Sequence, residues 1–290
     1  APAGHTVYKI QLPAEQSGIY SENPSIWSEE PLNVGEEGNT ITVTGDGLQV
    51  VYDRSKGQIS SCQVDGKQLL SHGKDRFYRA LTGIDEAQGE ISYGYDWRCA
   101  GLDRLEFTVE AVHVMKDPAC VVIGEELSYK AGKLKVFREY RITVAGMKIT
   151  SQVRNGLDLE TLPRIGQSFQ LEKEYQNVRW YGRGPQEAYA DRKSSAFVGI
   201  YSAKVPEMHE HYVRPCECGG REDIRWLEIT NEEGRGVRIT GSKLFHFSAL
   251  PWTVEQYDQA DYQENLGESQ GVELVIDGWH ALSLIHISEP

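Results

Sequence analysis

Apolar and polar residues alternate with a period of two along most of this chain. Asn39–Thr44 and Leu48–Tyr52 alternate on either side of Gly45-Asp46-Gly47, and Ile59–Leu70 alternates around Asp65-Gly66. Such spacing sends successive side chains to opposite faces, so it predicts strands. An Asp-Gly pair between two such runs predicts a tight hairpin. Leu105–Val114, Val121–Tyr129, Leu134–Val144 and Lys148–Val153 read as a meander turned at Ala131-Gly132 and Ala145-Gly146. Further strands are expected at Val178–Tyr181, Trp226–Thr230, Gly236–Thr240, Leu244–Ala249 and Val272–Ile276. Charges confined to one face of these runs indicate antiparallel sheets, wet on one side and packed on the other. Helix is scarce; its best start is Thr253, whose hydroxyl can cap while Gln256 reaches back. The fold class expected is all-β, a large antiparallel β-sandwich with very little helix.

Residues 14–38 break the alternation: Ser, Asn, Pro, Gly and Glu dominate, and Tyr20, Ile26 and Trp27 are the main apolar anchors. They read as a linker between a strand at Thr6–Leu12, which has no partner of its own, and a sandwich over residues 39–280. Residues 1–13 are therefore expected to be the end of a preceding domain.

The net charge of −13 gives no footprint for nucleic acid or an anionic membrane surface, and neither partner is expected. No apolar run approaches the roughly 20 residues of a membrane helix. The five cysteines are odd in number and scattered, which favours a reducing compartment, the cytoplasm, over a disulfide framework. Cys216-Glu217-Cys218, with His209 and His211 close by, hints at metal. No second Cys/His pair at zinc spacing follows, so no metal ligand is assigned.

One segment stands apart: Trp180-Tyr-Gly-Arg-Gly-Pro-Gln-Glu-Ala-Tyr-Ala-Asp-Arg192. Gly182 and Gly184 permit backbone angles that other residues resist, and Pro185 removes a donor. With Gln186, Glu187, Asp191 and Arg192 behind it, the strand is expected to end in a rigid polar corner. Glu187 and Asp191 could be active carboxylates; capping the turn or pairing with Arg183 and Arg192 is the favoured role. Glu217 is weighed the same way. Trp180, Trp226 and Trp252 could stack on sugar rings, with core packing favoured. His246, between Phe245 and Phe247, is expected to be a satisfied buried histidine rather than a proton shuttle.

The segment resembles the W-x-G-x-G-P-x-E-x-Y-x-D-R signature of the C-terminal domain of β-galactosidases in glycoside hydrolase family two. On that pattern Trp180, Gly182, Gly184, Pro185, Glu187, Tyr189, Asp191 and Arg192 form a structural motif. Tyr212–Gly219 resembles the family's Y-x-x-P-x-E-N-G run through Pro215, Glu217 and Gly219. His246–Pro251 is similar to the segment before a short helix. Phe77–Asp85 resembles the F-W-R-A-P-T-D-N-D loop, and Ile276–His280 the start of the final shared region. The resemblance implies a supersandwich of the galactose mutarotase-like kind. It also marks Arg79 and Asp85 as substrate-pocket loop candidates.

Departures are plain. Leu81, Gly83 and Ile84 replace the loop's Pro, Asp and Asn, and Cys218 stands where Asn is usual. After His280 the family continues with a Gly-rich, Asp-containing turn and a Trp. Residues 281–290 instead read as a non-native tail resembling translated adaptor sequence.

Retaining glycosidases need two carboxyls roughly 5–5.5 Å apart. In the resembled family these sit in a (β/α)₈ barrel of roughly 250 residues, and no stretch here alternates strand and helix in that way. The expectation is therefore a segment without catalytic residues. It would wall the active site of an enzyme that hydrolyses terminal β-D-galactosides such as lactose with retention. The fragment alone is expected to be inactive, and the whole enzyme to be a homo-oligomer. The family's Mg2+ and Na+ would be held elsewhere, with no cofactor in this segment. Two other readings remain: a separate small subunit of a two-chain β-galactosidase, and a stand-alone carbohydrate-binding or mutarotase-like sandwich.

Overall fold

The computed structural model describes Gln11, Ile26, residues 28–86 and residues 92–281. Apart from Gln11, the strand expected at Thr6–Leu12 lies outside the described residues, and so does the expected non-native tail from Leu282 onward.

The first five strands run as an antiparallel meander: β1 (Asn33–Glu37), β2 (Thr40–Gly45), β3 (Leu48–Asp53), β4 (Gln58–Val64) and β5 (Lys67–Arg76). Two of their turns were written locally. Asp46-Gly47 and Asp65-Gly66 both have positive φ at both positions, as a two-residue hairpin of matching twist demands. A short helix α1 (Tyr93–Cys99) leads to a separate sheet of β6 (Thr108–Asp117), β7 (Cys120–Tyr129), β8 (Leu134–Thr143) and β9 (Gly146–Asn155). The chain then returns to the first sheet with β10 (Arg164–Leu171), β11 (Asn177–Gly184), β12 (Phe197–Lys204), β13 (Arg221–Thr230), β14 (Gly236–Leu250), a short helix α2 (Val254–Gln259) and β15 (Val272–His280). The order across the large sheet is β1-β2-β3-β4-β5-β10-β15-β14-β13-β11-β12, antiparallel throughout.

The four-stranded sheet packs on β2–β4. Ile41, Val43, Val50, Tyr52 and Ile59 meet Val121, Ile123, Tyr140 and Ile142 in one core. The alternation read in the sequence is the inner face of this sandwich. A second core joins β11, β13, β14 and β15 to α2 through Trp180, Leu227, Phe247, Leu274 and Tyr257. The protein is thus all-β, a large antiparallel sandwich, and among the described residues no helix is long and apolar enough to cross a membrane.

α2 starts where expected. Gln256 N–H donates to Thr253 Oγ1 at 3.2 Å while the Thr253 N–H donates to Gln256 Oε1 at 3.0 Å. Other elements differ from expectation. β1 falls inside the stretch read as linker; four of its five residues are exposed, so no burial forced an apolar signal on them. β10 and β12 were not foreseen, because β10 buries Arg164 and Ser168 in place of apolar residues and β12 is an edge strand. The runs at Gly236–Thr240 and Leu244–Ala249 are one long strand, whose register against β13 slips near Ile224.

Gly182 and Gly184 also act differently from expectation. Neither has positive φ among the backbone exceptions. A Cβ on Gly182 would sit 2.4 Å from Ile224 Cδ1, and one on Gly184 would meet Trp180 and Tyr201 at 3.0 Å or less. They are glycines because neighbouring chains approach closely there.

Candidate functional site

The resembled motifs converge on one buried polar cluster. Glu187 begins the construction: its carboxylate accepts from Gly219 N–H at 3.0 Å, from Tyr212 Oη at 2.5 Å and from Arg192 at 2.7 Å. Ala188 N–H donates to Gly220 O, and Gly220 N–H donates to Tyr189 Oη. The Trp180–Arg192 corner is therefore bolted to the Tyr212–Gly219 run. Pro185 and Asp191 are exposed, Trp180 is buried with its indole N–H on Arg183 O, and Arg183 pairs with Asp223. Glu187 and Arg192 pair as expected; Arg183 does not join them.

That bolt delivers Glu217 inward, beside Arg164 on β10. The Arg164 Nη2 atom donates to Glu217 Oε1 at 3.2 Å and to Asp277 Oδ2 at 3.1 Å. Asp277 is opposite His246 in the β14–β15 ladder, and His246 Nδ1 lies 3.0 Å from Asp277 Oδ2. A bulge between Ile165 and Gly166 makes β15 spend one extra residue, which puts His280 on the same face as Asp277 despite a spacing of three. His280 Nε2 then reaches Glu217 Oε1 at 3.2 Å. The two imidazoles stack at 4.3 Å and 18°, with the Tyr189 ring against both.

Burial and charge set the ionisation here. Burial alone would raise Asp277, but the Arg164 charge and then the His246 hydrogen bond hold it below the ordinary carboxylate range. Burial, then the charges of His246 and Arg164, push His280 well below the usual imidazole value. Burial, with Glu217 and Glu187 nearby, keeps the Tyr189 hydroxyl protonated.

His246, Asp277 and His280 offer ligand atoms within 4.8 Å of one another. Three observations oppose a metal there. The rings are stacked, so their lone pairs run in parallel planes rather than converging. The cation on the two carboxylates is already Arg164. The unpaired His246 Nε2 and Asp277 Oδ1 are covered by glycine: a Cβ on Gly220 would lie 2.4 Å from the first, and one on Gly166 would lie 1.9 Å from the second. Among the described residues Arg164 Nε and Nη1 and His280 Nδ1 also lack hydrogen-bond partners. Arg164, Glu217 and Glu273 border a small cavity whose lining is otherwise mostly apolar, from Ala80, Leu250, Trp252 and Val275 among others.

Arg79 and Asp85 are brought together, in a buried two-point ion pair at 2.6 and 2.9 Å. Asp85 also accepts from the Thr82 backbone and hydroxyl, and Arg79 donates to Ala281 O at 2.7 Å. The pair locks the loop to the end of β15. Both side chains are closed to solvent.

Cys216 and Cys218 are free thiols, and burial pushes Cys216 up to about 11 and Cys218 higher. Cys218 Sγ lies 3.8 Å from His209 Nδ1, which also meets Tyr257 Oη at 2.9 Å. Trp226 is buried too, and Trp252 is half-buried, with its N–H on Gly267 O.

Arg164 is the residue that reading the sequence missed. It sits in a strand with no clear alternation, and its partners lie 53 and 113 residues away.

A family described as beta galactosidase small chain matches residues 44–281. A β-galactosidase of Priestia megaterium is 32% identical, over 94% of this chain and 26% of its own length. One of Streptococcus thermophilus is 27% identical, over 93% of this chain and 26% of its own. The chain thus spans about a quarter of the curated relatives it matches. A galactose 1-epimerase from Lactobacillus acidophilus NCFM shares 8% identity over 88% of this chain and 91% of its own, with a TM-score of 0.39. A putative aldose 1-epimerase from Escherichia coli K12 gives 12%, 86%, 87% and 0.36.

Proposed function

This chain belongs to the beta galactosidase small chain family, and from that premise we propose that it is the non-catalytic wall of a β-galactosidase. The longer protein hydrolyses terminal non-reducing β-D-galactosides such as lactose with retention, as a family-two glycosidase and a cytoplasmic homo-oligomer. The segment encloses the substrate and supports assembly, while acid, nucleophile, Mg2+ and Na+ belong to parts outside it. Arg79 and Asp85 act by holding the pocket loop in place.

One observation carries this reading: the carboxylates gathered where the motifs meet are each paired with an arginine, Glu187 with the exposed Arg192 and the deeper ones with buried arginines. Glu217 and Asp277 share Arg164, and Asp85 holds Arg79. Retention needs one carboxyl that gives up a proton and a second free to attack the sugar, roughly 5–5.5 Å away. A carboxylate held by arginine is a poor proton donor, and a sealed one meets no sugar. The purified polypeptide is expected to release no nitrophenol from nitrophenyl β-D-galactoside. Turnover by pure material would overturn the assignment.

A second reading, a separate small subunit, is favoured by the family's description as a small chain. Mixing with a large subunit separates the two: gain of activity from two unlinked chains supports the subunit. A stand-alone carbohydrate-binding sandwich would instead give heat of binding with galactose or lactose in calorimetric titration.

A further inference from the structure

A second buried charge cluster, apart from the one at Arg164, joins the two sheets. Arg138 on β8 donates from Nη1 to Glu125 Oε1 on β7 at 2.7 Å, from Nη2 to Asp75 on β5, and from Nε to Ser151 Oγ on β9 at 3.0 Å. Tyr52 on β3 donates its hydroxyl to Glu125 Oε2. Tyr140 on β8 donates to Glu125 Oε1 at 3.4 Å and accepts from Gln167 on β10 at 3.3 Å. The two tyrosine rings meet edge to face within the core that the sheets share. Tyr52, Asp75 and Gln167 belong to the large sheet and their partners to the small one, so these contacts bridge the sandwich.

Both clusters set two carboxylates on one guanidinium, and they differ in what offsets the surplus negative charge. At Arg164 the carboxylates also meet imidazoles, His246 on Asp277 and His280 on Glu217. At Arg138 the remaining partners are two tyrosines, a serine and a glutamine, none of which can become a cation. Lys74 and Arg76, on either side of Asp75 in the chain, are held by Glu255 and Glu273 instead. Asp75 borders an open cleft, where water screens its charge. The Glu125 side chain is 0% exposed and has no such relief. Burial, aided by the Asp75 charge and opposed by Arg138, raises the Glu125 carboxyl to about 7.

We propose that this junction is a proton-operated latch in which Glu125 holds the proton. With the proton in place the cluster is neutral, one guanidinium against one carboxylate. The Tyr52 contact survives with its roles reversed, the carboxyl O–H donating and the Tyr52 oxygen accepting. The proton comes from water and returns to it. Tyr52 keeps its own, because burial and the Glu125 charge push its hydroxyl far above the ordinary range. Loss of the Glu125 proton leaves an unpaired negative charge between the sheets. The hold of the small sheet on the large one therefore tightens as the pH falls and slackens as it rises.

Carbon-13 NMR of the Glu125 carboxyl, assigned through bonds in the full chain, reads the proton directly. A midpoint above about pH 6 is expected, and one at or below that value, nearer the ordinary glutamate range, would overturn the proposal. Urea unfolding reads the latch. The folded pKa lies above the ordinary value of 4.5, so only the folded state holds this proton between that value and about 7. The unfolding constant of the parent relative to Glu125→Gln should therefore rise by up to about tenfold per pH unit across that window and level off above it. A ratio that ignores pH would overturn the coupling. Asp75→Asn withdraws the second charge from Arg138 and should lower the Glu125 midpoint; an unmoved midpoint would overturn the sharing of that arginine.

Discussion

Replacing Arg164 with methionine keeps roughly the side-chain length and removes the one cation shared by Glu217 and Asp277. Those carboxylates are 6% and 0% exposed at the side chain, so neither can turn to water for relief. At 3.1 Å and an effective dielectric of about 20, each contact is worth about 5 kcal/mol gross. Much of that is cancelled by the cost of burying the guanidinium, and breaking such a pair leaves a net loss of about 3–5 kcal/mol. A second route gives the same scale. One stranded carboxylate can take up a proton at pH 7, which costs about 4 kcal/mol for a group that ordinarily titrates near 4. Urea unfolding followed by tryptophan fluorescence reads the difference, and with a slope of about 3 kcal/mol per molar the midpoint should fall by about 1 M or more. The loss should shrink toward pH 4. With Arg164 gone, burial raises the folded pKa of Asp277 above its unfolded value, so the variant gains stability as the pH falls. A loss under about 1 kcal/mol at pH 7, or a gap that ignores pH, would refute the claim that Arg164 neutralises this cluster.

Two more perturbations probe separate links in the chain of reasoning. The folded pKa of His280 is depressed by burial and by His246 and Arg164, so its stabilising contribution is complete above the unfolded value near 6.5 and is lost as the pH drops below it. His280→Phe should therefore flatten the stability slope between about pH 6.5 and 5 by up to about 1.4 kcal/mol per pH unit; an unchanged difference slope against the parent would sink the assignment. Gly66 has φ of +72° and open space around its missing Cβ, so Gly66→Ala isolates backbone strain. About 1–2 kcal/mol should be lost, and no loss in a thermal or urea melt would contradict the hairpin geometry.

Much of the fold was legible because β-structure writes itself locally. Asp46-Gly47 and Asp65-Gly66 specify their turns from two residues each, and the apolar alternation of β2, β3, β7 and β8 is the imprint of one shared core. The Thr253–Gln256 cap needs only four residues to be recognised. Edge and polar strands escaped. β1 and β12 bury little, and β10 places an arginine and a serine where an apolar residue would have marked the inner face. Trp180 is core as weighed, Trp226 is buried beneath Arg179 and Arg238, and Trp252 is half-buried, while the reason for Gly182 and Gly184 lay largely in Ile224 and Tyr201, distant in the chain.

The apolar alternating strands, the net negative charge and the motifs of the galactosidase family were determined by the sequence by itself, since strands and motifs depend on residues near one another and charge on composition alone. Which charges distant in the chain meet was decided only by the tertiary structure. Arg164, Glu217 and Asp277 belong to different strands and loops, and a bulge turned His280 inward to join them. A buried charge is tolerated only beside its counter-charge, and that proximity is a property of sheet register, not of spacing along the chain.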